Sequence, residues 1–364
     1  MSMFHELMMR KKEEIMYATI KGTLTENDGV FSGFSGTNYL SLQDTIAITP
    51  TKKFEIVTKV KFNYFSNTSS FIGTFGEYGI VLRTTANKEL SLNVGDGTSW
   101  IFTNEFSANT FVVNTDYFFK LTINNGLIKL LSSTDGTHWT EEINRSITIS
   151  GQYDYNITLG IGRVNTTYFD GSIDLNNSYI KLGSTKYNLQ AVVGYTVVGS
   201  PTITDGVVTN LSSSNYLTVP NFPYVSADSW EIVINADTTY NSGQQQQRLL
   251  RINSYFQFQV QGTNPVWQFY NGTSAYNIIN SESGFISTCK FVKMVKSSGA
   301  SSIQFYVSTD GITWITGNTI AISSSATDGN MNIGTNGNGW LGTVNLNNTY
   351  IKVNNKLWFN GQQA

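Results

Sequence analysis

Proton transfer and nucleophilic attack need titratable side chains within reach of one another, and this chain offers few. Its histidines are His5 and His138, and its only cysteine is Cys289. His138 lies in Ser133-Thr-Asp135-Gly136-Thr-His-Trp139, a motif whose second version, Ser308-Thr-Asp310-Gly311-Ile-Thr-Trp314, has threonine at the histidine's place. A Ser-His-Asp or Cys-His arrangement would have to use His138, and Cys289 belongs to the other half of the chain. A glycosidase would instead aim two carboxylates at one glycosidic bond. The nearest run of acids, Glu26-Asn-Asp28-Gly-Val-Phe31, lacks a third carboxylate and reads as a turn. The expectation is a protein that is not an enzyme.

Aromatic side chains beside amide and hydroxyl donors suit a different task. A sugar ring presents C–H groups on its face and hydroxyls at its edge, so a tryptophan near Gly, Asn and Thr is a natural platform for it. Trp100 follows Gly95-Asp-Gly-Thr-Ser, and Trp267 follows Gly262-Thr-Asn-Pro-Val. These two are the first glycan-binding candidates, and Trp139 and Trp314 are the second pair; the alternative for all four is packing at the ends of sheets. The Ser-Thr-Asp-Gly motif resembles the Asp-box of sialidases with one residue fewer between Asp and Gly, which implies a folding element with Asp-Gly setting a tight turn. Asp28 and Asp205, each followed by glycine, are the calcium candidates, with a turn as the alternative. No other cofactor is expected, and Cys289 reads as a small buried residue.

These residues sit in a chain that repeats itself. Tyr17-Ala-Thr-Ile-Lys-Gly-Thr-Leu-Thr-Glu-Asn-Asp-Gly-Val30 returns as Tyr195-Thr-Val-Val-Gly-Ser-Pro-Thr-Ile-Thr-Asp-Gly-Val207. Gly171-Ser-Ile-Asp-Leu-Asn-Asn-Ser-Tyr179-Ile-Lys returns as Gly342-Thr-Val-Asn-Leu-Asn-Asn-Thr-Tyr350-Ile-Lys. The repeat is far longer than the roughly 20–50 residues of a solenoid unit, so each copy must be a domain with its own core. The expected division is an N-terminal helix over 1–16, a first domain over 17–190 and a second over 191–364. In the first segment Phe4, Leu7 and Met8, with Ile15, fall near one face at helical spacing. They are the expected anchor for assembly with partner proteins or sister chains, and a homo-oligomer is expected.

Beyond Tyr17 the period changes to two. Phe54, Ile56, Val60 and Phe62 alternate with Glu55, Lys59 and Lys61, the pattern of a half-buried strand. Tyr117–Ile123 and Leu127–Leu131 flank Asn124-Asn125-Gly126, a hairpin signal because both central residues of a type I′ turn need positive φ. Charged residues make up 13% of the chain and aromatics another 13%, which suits a packed all-β protein with uncharged polar surfaces. Net charge is −2 and no stripe of Lys or Arg is evident along the sequence, so nucleic acid is not an expected partner. No segment approaches the roughly 18 apolar residues of a membrane-spanning helix, and no apolar leader is evident, so synthesis and folding in a cytoplasm are expected.

Asp28-Gly-Val-Phe-Ser-Gly-Phe-Ser-Gly-Thr-Asn-Tyr-Leu-Ser-Leu42 and Phe169-Asp-Gly-Ser-Ile-Asp-Leu-Asn-Asn-Ser-Tyr179-Ile-Lys resemble the opening and closing strands of laminin-G-like, concanavalin A-like jelly rolls. The resemblance spans 19–361 and implies two tandem antiparallel β-sandwiches behind the short helix. The tandem copies with a Lys/Glu-rich leading helix also resemble virion proteins, fibres or decorations, of tailed bacteriophages from gut bacteria. That implies a non-enzymatic virion surface protein attaching to bacterial or mucosal polysaccharide. The alternatives are a purely structural decoration binding only other virion proteins, and an endoglycanase.

Overall fold

The computed structural model describes residues 14–363 apart from 49–52, 68, 75–77, 149–152, 163–167, 238–245, 254, 262–265, 280–288, 335–339 and 341. Every regular element among them is a β-strand. The chain separates into two compact units, Met1–Ala191 and Val192–Ala364. In the first, one sheet runs through neighbouring strands Thr140–Ser146, Leu127–Ser133, Asp116–Asn124, Phe54–Phe62, Gly171–Leu182, Val30–Ser32 and Thr25–Asn27. The other runs Glu14–Lys21, Tyr39–Leu42, Ile157–Leu159, Ser70–Thr74, Ile80–Thr84, Leu90–Gly95 and Trp100–Phe106. Leu40, Leu82 and Leu92 from this sheet share one core with Ile56, Phe119 and Leu130 from the first, so the sheets pack face to face as a sandwich.

The second unit repeats the order. Ile315–Ala321, Ser302–Ser308, Phe291–Lys296, Trp230–Asp237, Thr343–Val353, Val207–Thr209 and Thr202–Thr204 form one sheet. The end of Thr185–Val198, Tyr216–Phe222, Gly329–Ile333, Gln246–Ile252, Phe256–Gln261, Val266–Tyr270 and Ala275–Asn277 form the other.

The local signals read from sequence form as expected. Asn124 pairs with Leu127, leaving Asn125 (φ 48°) and Gly126 (φ 74°) as the two-residue turn. Phe54, Ile56, Val60 and Phe62 are buried on one side of their strand. The helix over 1–16 is not supported. Its residues Glu14, Ile15 and Met16 open the strand Glu14–Lys21, and Phe4, Leu7 and Met8 lie outside the described residues. Helical spacing put Ile15 on the buried face, yet Ile15 is 44% exposed while Met16 and Ala18 are buried. Met16 and Ala18 extend the period of two, and pairing of Ala18 with Leu42 fixes the register.

Candidate binding face

The face of the first sheet that points away from the core carries a cross-strand row. Lys120 stands opposite Leu131 on one side and Val57 on the other, and Val57 stands opposite Tyr179. One step along, Glu55 lies between Thr122 and Lys181, and Lys181 faces Lys186. Trp139 enters from the turn after Ser133, and the Lys120 ammonium lies 3.8 Å from the centre of its ring. Tyr179 donates its hydroxyl to Glu55 at 2.9 Å, and Lys186 covers its ring at 4.3 Å. Burial lowers the Lys120 pKa, with Lys181 adding to that and Glu55 opposing it. Burial and then the Glu55 bond push the Tyr179 hydroxyl well up.

The second unit rebuilds this row. Lys293 stands between Tyr306 and Val233, Val233 faces Tyr350, and Glu231 faces Lys352. The Lys293 ammonium lies 4.3 Å from the Trp314 ring and 4.6 Å from the Tyr306 ring. Tyr350 donates to Glu231 at 2.8 Å, and Lys352 approaches the same carboxylate at 3.4 Å. Both copies therefore hold a Trp–Lys–Val–Tyr–Glu set in the same register, each lysine resting on an indole where cation and ring quadrupole attract.

The Asp-Gly motifs place these tryptophans. Asp135 accepts the backbone N–H groups of Thr137 and His138, each at 2.8 Å, and Ser133 Oγ accepts from Gly136 at 2.9 Å. Asp310 and Ser308 make the same bonds to Ile312, Thr313 and Gly311. His138 is held only at this exposed turn tip, where its Nδ1 meets Asp135 Oδ2 at 2.7 Å and Thr137 Oγ1 at 3.1 Å. The Asp135 contact raises its pKa. Both partners share one ring nitrogen, so Thr137, His138 and Asp135 do not form a relay in which the base holds a nucleophile at one nitrogen and an orienting acid at the other.

The other tryptophan candidates lie elsewhere. Trp100 is half-buried at the start of Trp100–Phe106, edge-on to Tyr78 at 5.6 Å. The turn before it is tied by Asp96, which accepts from Thr98 Oγ1 at 2.7 Å and from the Thr98 and Ser99 N–H groups at 2.8 and 2.7 Å; these bonds, the Thr98 hydroxyl's first, hold its carboxyl down to about 2. Trp267 is a core residue, 4% exposed, stacked on Phe258 at 4.8 Å and on Trp340 at 5.8 Å. It is thus no sugar platform: the Gly-rich stretch before it had suggested a loop, but its own position falls inside the strand Val266–Tyr270, pointing inward.

Asp28 (φ 47°) and Asp205 (φ 49°) occupy matching turn positions, each with its carbonyl accepting from Asn176 or Asn347 at 2.7 and 2.8 Å. Among the described residues no three His, Cys, Asp or Glu side chains gather as a metal site. The Asn clasps explain the Asp-Gly pairs as turns. Cys289 is buried, which pushes its thiol up to about 11.

One feature escaped the sequence altogether. Lys53, Lys120, Lys181 and Lys186 meet on the first unit's outer face, a cationic patch where no stripe of lysines was expected. They come from three stretches, Lys181 and Lys186 from one hairpin, and strand register brings the three together. Lys53 and Lys181, with Glu55, Thr122, Asn124 and Gly183, line a hollow of about 180 Å³.

No family model matches the chain, and no curated protein matches it. Solved structures with a similar course of strands include mouse laminin alpha1 chain domains LG4-5, at 12% identity and TM-score 0.31, covering 98% of this chain and 99% of that one. The exoplasmic/lumenal domain of VIP36, solved with Ca²⁺ and Man3GlcNAc, aligns at 12% identity and TM-score 0.32 over 45% of this chain and 81% of its own. An alginate lyase from Corynebacterium sp. aligns at 14% identity and TM-score 0.29 over 42% and 70%. At such scores none of these likenesses carries an argument about what this chain binds. No helix among the described residues is long and apolar enough to cross a membrane.

Proposed function

We propose that this chain is a non-enzymatic glycan-binding protein that attaches to bacterial or mucosal polysaccharide through the outer faces of its two units. The observation that carries the reading is the Trp–Lys–Val–Tyr–Glu set built twice in one register. Half-buried indole edges, an ammonium, a phenol and a carboxylate give apolar contact and hydrogen bonding on one flat surface, the combination a sugar needs. Each lysine already covers one face of its indole, so the sugar meets the remaining ring surface and the polar groups beside it. Two such faces per chain raise avidity through effective concentration even where each site is weak. Placement on a phage virion, with residues 1–16 docking to other virion proteins, rests on the sequence resemblance alone.

The test is a glycan array probed with the intact chain and with Trp139→Ala, Trp314→Ala and the double variant. Each single change is expected to weaken binding and the double change to remove it, with circular dichroism unaltered. Undiminished binding by a folded double variant would sink the assignment. A purely structural decoration is the second reading, favoured by Ile312 (83% exposed) and Ile315 (47%) beside Trp314, apolar groups suited to a protein partner. It expects no glycan to bind at all. Release of reducing ends from a bound polysaccharide would revive the endoglycanase reading.

A further inference from the structure

The two outer faces share their aromatic set but not their charge. In the first unit Lys59, Lys61 and Lys129 are matched by Asp174 at 3.2 Å, Asp116 at 3.6 Å and Glu141 at 2.6 Å. The hollow, by contrast, is lined among the described residues by Lys53, Lys181 and one carboxylate, Glu55, which already accepts from Tyr179, while Lys120 and Lys186 lie beside it on the Trp139 and Tyr179 rings. These lysines feel one another, since Lys181 helps to depress the Lys120 pKa. An anion would relieve that repulsion. In the second unit serine, Ser229, precedes the strand where Lys53 does in the first, and Leu357 stands opposite Lys352 as Lys186 stands opposite Lys181. Lys352 is paired with Glu231.

The hollow's volume of about 180 Å³ is that of roughly six waters at about 30 Å³ each, room for one charged ring substituent and its ring edge.

Resting on the glycan-binding reading, we infer that the first unit's outer face takes an acidic polysaccharide, with a ring carboxylate or sulfate ester seated between Lys53 and Lys181. The second unit's face takes neutral sugar. Nucleic acid fits less well, because a phosphate backbone calls for cations spread along its length, and these lysines gather at one hollow.

Titration calorimetry of the full chain against polygalacturonate, dextran sulfate, neutral dextran and a single-stranded oligonucleotide tests this. Polygalacturonate or dextran sulfate is expected to bind more tightly than dextran, and which of the two binds better tells carboxylate from sulfate. Lys53→Gln with Lys181→Gln should lower the acidic polymer's affinity about tenfold or more. It should also reduce the salt dependence by about one unit per lysine, while Lys352→Gln leaves both alone. Equal affinity for dextran and the acidic polymers, or no loss in the double variant, overturns the inference and leaves the glycan-binding reading standing. Preference for the oligonucleotide overturns it in favour of nucleic acid. Failure of every polymer to bind removes both readings.

Discussion

Phe62 and Trp267 hold the centres of the two units in different ways. Phe62 is ringed by Phe65, Phe71, Phe111, Tyr117, Phe119 and Phe169, with centroids 4.8 to 6.5 Å away and mostly tilted or edge-on. Trp267 lies in a near-parallel stack with Phe258 and Trp340, and a second group joins Trp230 to Phe222, Tyr224 and Phe256. Strand order is the same, yet among the described residues the first core holds no tryptophan while the second sets Trp230, Trp267 and Trp340 among its phenylalanines. Cores tolerate such exchange as long as volume and patterning hold. The half-buried outer row was not exchanged: Trp, Lys, Val, Tyr and Glu stand in the same register in both units. On the proposed reading a task, rather than packing, keeps that row.

The largest expected effect tests the core side of the comparison. Trp267→Ala should destabilise the second unit by about 3–5 kcal/mol, lowering one thermal transition, and Phe62→Ala should do the same to the other. If both variants move a single shared transition, the units unfold together and the two cores are not independent. Next comes a device that, among the described residues, belongs to the first unit. Glu142 is buried and accepts from Ser132 Oγ at 2.6 Å and from Asn109 N and Nδ2 at 2.9 and 3.1 Å. Its removal in Glu142→Ala should cost about 1–3 kcal/mol by urea denaturation, and the corresponding strand of the second unit, Ile315–Ala321, contains no carboxylate to lose.

The hairpin turns sharpen the contrast at smaller scale. Gly126 and Gly299 both have positive φ, but a Cβ on Gly126 would meet Ile147 O at 2.8 Å whereas one on Gly299 would meet nothing within 4 Å. Gly299→Ala should therefore cost about 1 kcal/mol from backbone strain alone, and Gly126→Ala measurably more in the same assay. Smallest are the effects of pH. Asp96 in the first unit and Asp310 in the second are held down from 3.8 to about 2 by turn hydrogen bonds. Because the folded value is the lower one, their contribution is present above 3.8 and is lost as pH falls toward 2. Asp310→Asn should flatten that loss in the second unit only. His138 runs the other way: its raised value gives stability that is present below 6.5 and fades as pH climbs through the folded pKa. The second unit, with Thr313, should show no such term.

Local chemistry was legible in the sequence and long-range placement was not. The Asn125-Gly126 turn follows from two residues that accept positive φ, and the strand at 54–62 from its own alternation. The tandem copies follow from repeated words. Glu14 to Met16 carry both helical and alternating spacing in too few residues to separate the two, and sheet pairing decided for the strand. Trp267 was misread because the rings that stack on it, Phe258 and Trp340, come from elsewhere in the chain. The Lys53, Lys120, Lys181 and Lys186 patch was invisible for the same reason, since nothing in sequence ties the Lys181–Lys186 hairpin to Lys53 or Lys120. That Trp139 and Trp314 follow a tight turn was legible because the Ser-Thr-Asp-Gly motif sets that turn.

Cys289 has a practical side. Burial and a thiol held up at about 11 leave the native chain without a reactive sulfhydryl near neutral pH. A single cysteine introduced on either outer face would then be the one group to take a maleimide dye. Fluorescence from the first unit and from the second could be followed separately in otherwise unaltered protein, one reporter at a time.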